Sequence, residues 1–557
     1  MKKLASLLLA LVMIMSCFSA MAEATETPTT YTIKINNAKA GHVYAAYQIF
    51  AGKLHDKDTT ADTKNDAVLS DVDWGTGVNG DAILNELQSN SAFMIGEGEN
   101  KVNAFAECES AADVADVLSN NTGFVVDFAS VVGANLKEPT GTSTAVDGGY
   151  EIEVPEGYYL VKNTTVPEDD AHTRFIIEVV EDSIVSPKAS VPSSEKKVKD
   201  TNDTTGETSN WQDSADYDIG DDVQFQLKAT IGSTYADYDA YYLAFHDTQS
   251  AGLSFKADTV KVYVNNVLIE NTADTEYYKV ITTGLTDGCT FEVEFLNLKK
   301  IESVKADSVI TVEYASTLTD AAVTGSAGNT NKMQLEFSNN PNSNWDGTTV
   351  PGDDETGETP EDTVIVFTYE VDVNKIAEND EALTGAAFTL YKWEKDAQVD
   401  ENDANTAGSN TDTPVHKDAG AWVVVKAIDA DPATSQFVFN GLDDGDYKLV
   451  ETKAPAGYNL LLSPIYFTIT ADHEITSTTI PMLTKLNSNG VLTGEFELNA
   501  EKTNSTNGIL STNVENKAGA TLPETGGMGT TILYVGGGIL VLAAIVLLIV
   551  KRRANAE

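Results

Sequence analysis

Val364-Ile365-Val366-Phe367-Thr368-Tyr369-Glu370-Val371-Asp372-Val373-Asn374-Lys375 alternates apolar and polar residues over most of its length. A strand sends successive side chains to opposite faces. Ile365, Phe367, Tyr369, Val371, Val373 and Lys375 therefore share one face, with Thr368, Glu370, Asp372 and Asn374 on the other. The reading is a half-buried β-strand that carries a lysine toward a core. Short segments of the same kind, rich in Val, Ile, Tyr, Phe and Thr and bounded by Gly, Asn and Asp, recur through the chain. The expected fold class is all-β, with sandwiches in series.

Roughly 500 residues separate the two ends, too many for one core and enough for three domains. Ser186 to Ser194 reads as a Pro-containing linker, and Asn339 to Thr363 as a Pro/Gly/Asp-rich connection. These place the domains at 25–187, 190–350 and 362–517. Helical patches at Ala82 to Leu87 and Ala111 to Leu118 decorate the first. Gly445 to Pro455 repeats Gly157 to Pro167, with Gly, Tyr, Thr and Pro at equal offsets, so the first and third domains are expected to share a fold. Glu451 stands where the first copy has Asn163.

The ends specify export. Lys2 and Lys3, an apolar run from Leu4 to Phe18 and the small-x-small site Ala20-Met21-Ala22 predict a signal peptide, residues 1–22. At the other end Leu522-Pro523-Glu524-Thr525-Gly526 precedes an apolar segment, 532–550, and Lys551-Arg552-Arg553, a membrane-spanning helix with a cationic stop. The formal charge of −49 excludes nucleic acid as a partner. Beyond Cys17, which leaves with the signal, Cys108 and Cys289 are far apart and carry no metal-like spacing. Asp71-x-Asp73-x-Gly75 matches part of a calcium loop without its later ligands. No metal and no cofactor is expected, and the six His residues form no catalytic pattern.

Strand parity points more charges inward. Tyr447, Leu449 and Glu451 share a face opposite Asp446 and Lys448; Leu510, Thr512, Val514 and Asn516 share another. In the second domain Lys196 aligns with Val198, Asp247 with Leu243 and Phe245, and Asn339 with Met333, Leu335 and Phe337. Lys197 and Asn340 are the register alternatives. Unpaired burial would cost several kcal/mol per group, so each Lys, acid and Asn must compensate one another. A salt bridge with an Asn hydrogen bond is one solution. The other is covalent: desolvation favours a neutral lysine and a protonated acid, the amine attacks the Asn amide, and ammonia leaves.

The pentapeptide with its tail resembles the sorting signal read by sortases. Tyr447 to Tyr458 resembles the E-box of Gram-positive pilins, Leu383 to Leu390 the start of collagen-adhesin B-type domains, and Ile310 to Tyr314 with Phe337 to Pro341 the isopeptide-forming middle domain of those pilins. Ala40 to Phe50 extends the resemblance into the first domain. The resemblance implies Ig-like, collagen-adhesin B-type sandwiches in a major backbone pilin. A sortase would attack the carbonyl of Thr525, release Gly526 onward and pass the acyl group to an amine. It implies intramolecular bonds Lys196–Asn339, assisted by Asp247, and Lys375–Asn516, assisted by Glu451. No bond is expected in the first domain. The acceptor lysine of polymerisation is expected at Lys188, in Ile184-Val185-Ser186-Pro187-Lys188, where Ser186 replaces the family's usual Tyr; Lys162, Lys196 and Lys197 are the substitutes.

The expected partners are a sortase, further copies of the chain, accessory pilins, peptidoglycan and a host surface ligand, and the expected location is a wall-anchored fimbria serving adhesion. The chain is read as a substrate and not an enzyme. A monomeric wall-anchored adhesin is the alternative.

Overall fold

The computed structural model describes residues 29–56, 67–96, 101–188, 190–272, 275–497, 509–519 and 528–554. The first domain packs two sheets. Strands β1 (Thr30–Ile35), β2 (Val43–Asp56), β3 (Ala67–Trp74), β4 (Gly149–Pro155), β5 (Gly157–Thr165), β6 (Arg174–Val179) and β7 (Ser183–Val185) form them in the orders β7-β1-β4 and β6-β5-β2-β3, with short strands at the margins. Helices α1 (Gly80–Ser89), α2 (Ala111–Asn120) and α3 (Val125–Ala134) cover β2, β3 and β5. The first two extend the expected helical patches. The third is apolar on most sides, without the periodicity that would have announced it.

The second domain comprises β8 (Ser193–Val198), β9 (Ser214–Asp216), β10 (Asp222–Thr230), β11 (Leu243–Gln249), β12 (Leu253–Val264), β13 (Phe291–Phe295), β14 (Val309–Leu318), β15 (Asn329–Ser338) and β16 (Asp362–Phe367). One sheet runs β8-β10-β14-β12 and the facing sheet β9-β16-β15-β11-β13. Phe225, Leu227, Phe245, Val293, Val312 and Leu335 fill the space between them.

The third domain comprises β17 (Tyr369–Ala377), β18 (Ala387–Lys395), β19 (Gly420–Ile428), β20 (Gln436–Leu442), β21 (Gly445–Lys453), β22 (Ile465–His473), β23 (Leu483–Ser488) and β24 (Ile509–Asn516). Its sheets run β20-β17-β24 and β19-β18-β21-β22-β23. The last strand lies parallel to the first, Lys375 opposite Val514 and Ala377 opposite Asn516. A final helix, α4 (Met528–Ala554), contains an apolar span, Tyr534–Arg552, long enough to cross a bilayer.

The second sandwich does not end at 350, nor does the third begin at 362. Strand β16 pairs with β15 and β9 of the second domain. Val364 and Val366 enter that domain's core while Ile365 and Phe367 enter the next one's. Both faces of this strand are buried, so the strict alternation that defines a half-exposed strand starts only at Tyr369.

Ionic contacts reinforce the joint. Lys392 is fully buried and binds Asp443 at 3.1 Å, Asp203 at 3.0 Å and Asp218 at 2.5 Å, the last two from the second domain. His473 Nε2 lies 3.4 Å from Asp200 and 3.5 Å from Asp216, and its Nδ1 is 2.7 Å from the Ser214 hydroxyl. Burial alone would lower the imidazole pKa, but hydrogen bonds to Asp200 and Asp216, and their charges, carry it up to about 10.

Candidate functional site

The third-domain trio assembles as parity predicts. Lys375, Glu451 and Asn516 are all buried, contributed by β17, β21 and β24. Asn516 Nδ2 donates to both Glu451 oxygens, at 2.9 and 3.1 Å, and Glu451 also accepts from the Leu461 backbone at 2.9 Å. Lys375 Nζ donates to the Val514 carbonyl at 2.7 Å, which holds the amine beside the strand that carries Asn516. Burial lowers its pKa, against the pull of Glu451. The Asn516 carbonyl oxygen has no donor although it is buried.

In the second domain Lys196 and Asp247 meet, but Asn339 does not join them. Asn339 sits one residue beyond β15, where its Nδ2 donates to the Thr356 carbonyl at 2.6 Å and its backbone carbonyl accepts from His172 N of the first domain at 2.7 Å, its Oδ1 remaining without a donor. It is a domain-junction residue. The asparagine beside Lys196 and Asp247 is Asn331, on the same face of the same strand. Parity cannot separate Asn331 from Asn339. Register does: Asp247 pairs with Met333, next but one to Asn331, whereas Asn339 lies about 20 Å further along at roughly 3.3 Å per residue. The pairing of β11 with β15, not any local signal, would have been needed to choose.

Four polar side chains close this second cluster, and two of them, Asn331 and, on β14, Tyr314, are ones that the sequence did not assign to it. The Tyr314 hydroxyl donates to Asp247 Oδ2 at 2.6 Å and accepts from Lys196 Nζ at 3.1 Å and Asn331 Nδ2 at 2.9 Å. Lys196 Nζ also contacts Asp247 Oδ2 directly and stands 5.6 Å from the ring centres of Phe225 and Tyr314. All four are almost wholly inaccessible, Lys196, Asp247 and Asn331 at 0%. Burial lowers the lysine pKa and raises the aspartate's, each shift only partly opposed by the other group, so both move toward a neutral pair. Asp247 Oδ1 and Asn331 Oδ1 are both buried acceptors without a donor. By contrast Asn329, equally buried, spends its amide on Val323 and Val366 and is structural.

Lys197, the register alternative, points away and pairs with Asp213 at 2.5 Å; the other alternative, Asn340, caps the Asn342 backbone at 3.0 Å. Among the described residues the first domain buries no lysine. Strands β5 and β21 bury the same positions along their lengths, and Asn163 is inaccessible like Glu451, but it binds His42 and Thr173. Asp446 and Lys448, on the face opposite Glu451, are also buried because the segment from Asp396 to Ala419 folds over them; Lys448 reaches the Asn405 carbonyl there. Lys188 is exposed between β7 and β8. Leu522, Pro523, Glu524, Thr525 and Gly526, and the signal at 1–22, lie outside the described residues.

Comparison with known proteins adds three matches along the chain. Residues 219–341 match the Cna-B-like domain of Gram-positive pilin backbone subunit 2, 369–481 a prealbumin-like fold domain, and 514–557 the LPXTG cell wall anchor motif. The chain has the domains of a Gram-positive backbone pilin. It is a cell-wall-anchored surface protein. The trypsin-resistant surface T6 protein of Streptococcus pyogenes serotype M6 is 22% identical over 94% of this chain and 95% of its own length. The solved T6 backbone pilin of serotype M6 Streptococcus pyogenes covers 89% of it and 100% of that structure with a TM-score of 0.51 at 16% identity. For the full-length major pilin SpaD of Corynebacterium diphtheriae the values are 89%, 99%, 0.45 and 16%.

Proposed function

We propose that this backbone pilin is a repeating subunit of a covalent fibre, joined to its neighbours by a sortase and to itself by two Lys–Asn bonds. The observation that carries the reading is the pair of buried Lys, acid and Asn clusters, each with an asparagine carbonyl left without a donor. In the second domain neutral Lys196 attacks Asn331 Cγ. Asp247 lends its proton to the amide oxygen, takes one from the attacking amine and passes it to the departing nitrogen, then recovers its own from the oxygen as the carbonyl re-forms, so one C–N bond forms, one breaks and ammonia leaves. Tyr314 orients all three partners. In the third domain Lys375, Asn516 and Glu451 take the corresponding roles.

The two bonds would staple differently. Lys196–Asn331 ties the two sheets of its sandwich together, while Lys375–Asn516 ties the first strand to the parallel last one. Each closes a loop of about 140 residues, which by chain entropy contributes about 5 kcal/mol. Between subunits, Thr525 would be the acyl donor and exposed Lys188 the acceptor. The same sortase chemistry would attach the fibre to peptidoglycan and admit accessory pilins, and the fibre would serve adhesion. In this reading the chain is a substrate and its only catalysis is its own crosslinking.

Intact mass of the mature chain tests the intramolecular half: it should fall short of the calculated mass by two ammonia molecules. The full mass would refute both bonds. Co-expression with the cognate sortase tests the other half. The native chain should give a high-molecular-mass ladder on denaturing gels, and Lys188→Ala should abolish it while remaining folded. A ladder that persists would move the acceptor to another lysine; no ladder from the native chain would favour a monomeric wall-anchored adhesin.

A further inference from the structure

A second polar cluster lies on the outer face of the second domain's larger sheet, away from the crosslinking chemistry. His246 on β11 stands directly across from Glu292 on β13, its Nδ1 3.6 Å from the carboxylate. The turn before β13 brings Asp287 Oδ2 to 2.7 Å from the same nitrogen and Cys289 Sγ to 3.7 Å from Glu292. Gly288, at φ +85°, permits the turn that aims both flanking side chains at one point, and the Cys289 amide bonds Asp287 Oδ1 at 3.0 Å. One imidazole nitrogen, one sulfur and two carboxylate oxygens thus lie within 4.8 Å of one another.

We propose that His246, Asp287, Cys289 and Glu292 bind a single zinc ion. A mixed nitrogen, sulfur and oxygen set is what this borderline-soft cation takes in four-coordinate sites, with bonds of about 2.0–2.3 Å. Calcium and magnesium would call for oxygen alone. An independent feature supports the assignment. His246 Nε2, the nitrogen turned away from the cluster, lies 3.3 Å from Glu336. A metal-bound histidine commonly gives its second nitrogen to a carboxylate, which fixes the ring. Asp287, Glu292 and Glu336 share His246 as their ion-pair partner among the described residues, so the cluster as it stands gathers more negative charge than one imidazole can offset. Two ligands come from paired strands and two from one turn, so the ion would fasten that turn to the sheet and mask the thiol. The acid clusters at the joint with the third domain differ: Lys392 already fills the space between Asp203, Asp218 and Asp443.

Cobalt titration of the full-length protein, reduced and held in detergent, tests the site. One equivalent should produce a near-ultraviolet thiolate-to-cobalt band that zinc abolishes. Cys289→Ser should remove the band, Cys108→Ser should leave it, and His246→Gln should weaken binding by at least about tenfold. Glu292→Gln replaces His246→Gln if the latter fails to melt like the parent. Absence of the band in the native chain, or its survival in Cys289→Ser, would overturn the proposal.

Discussion

At the scale of single residues, the chain places ionisable groups where water cannot reach them and leaves the side-chain carbonyls of Asn331 and Asn516, at the two lysine clusters, among its buried acceptors without a donor. A buried acceptor without a donor costs about 1–3 kcal/mol, so each needs a compensating event. Asn331→Ala should restore the mass of one ammonia and destabilise the second domain by several kcal/mol in thermal unfolding, the loss of a crosslink worth about 5 kcal/mol. Asn339→Ala should keep both bonds, since Asn339 serves the junction with His172. Tyr314→Phe removes a hydroxyl that touches all three reacting groups. The bond should then form more slowly, measured as the ammonia-loss species against time after refolding.

At the scale of elements, β17 and β24 are neighbours with parallel pairing, and the proposed third-domain bond lies at that seam. Lys375→Ala should raise amide exchange along β24 and leave β15 protected. Much at this scale was legible in the sequence. Alternation exposed β17 and put Lys375 inside it; the repeat of β5 in β21 announced related strands and located Glu451 and Asn163 at one buried position. What was not legible depended on pairing between distant segments. Asn331 and Asn339 have the same parity, so only the register of β11 against β15 distinguishes them. His246, Asp287, Cys289 and Glu292 come together through a cross-strand pair and a turn, with no spacing that marks them as ligands. That Lys448, on the face opposite Glu451, would also be buried was not legible because the covering segment from Asp396 to Ala419 follows no period.

At the scale of the whole molecule, the second and third domains share β16 and an ionic joint. His473 titrates at the alkaline end of this joint, while Asp444, pushed up to about 7 by burial and by the charges of Asp216 and Asp200, titrates at the neutral end. The folded pKa of His473, about 10, stands above the ordinary value near 6.5. The stabilisation is therefore complete below about pH 6.5 and is lost as pH rises through about 10. Thermal unfolding followed from pH 6 to pH 11, on the order of one unit per step, should show the midpoint falling across that window. His473→Gln should melt lower at neutral pH and show a shallower fall; an unchanged slope would place the effect elsewhere.

The shared strand also constrains the order of events during export. A secreted chain emerges on the outer side of the membrane from its amino-terminal end. Val364 and Val366 must arrive before the second core is closed, yet Ile365 and Phe367 await a third core whose last strand, β24, follows more than a hundred residues later. For that interval β16 can hold only one of its two faces against protein. Lys196 and Asn331 both precede it in the chain, so maturation of the second domain can start while the third is still crossing the membrane, and completion of the third covers the remaining face of β16 last.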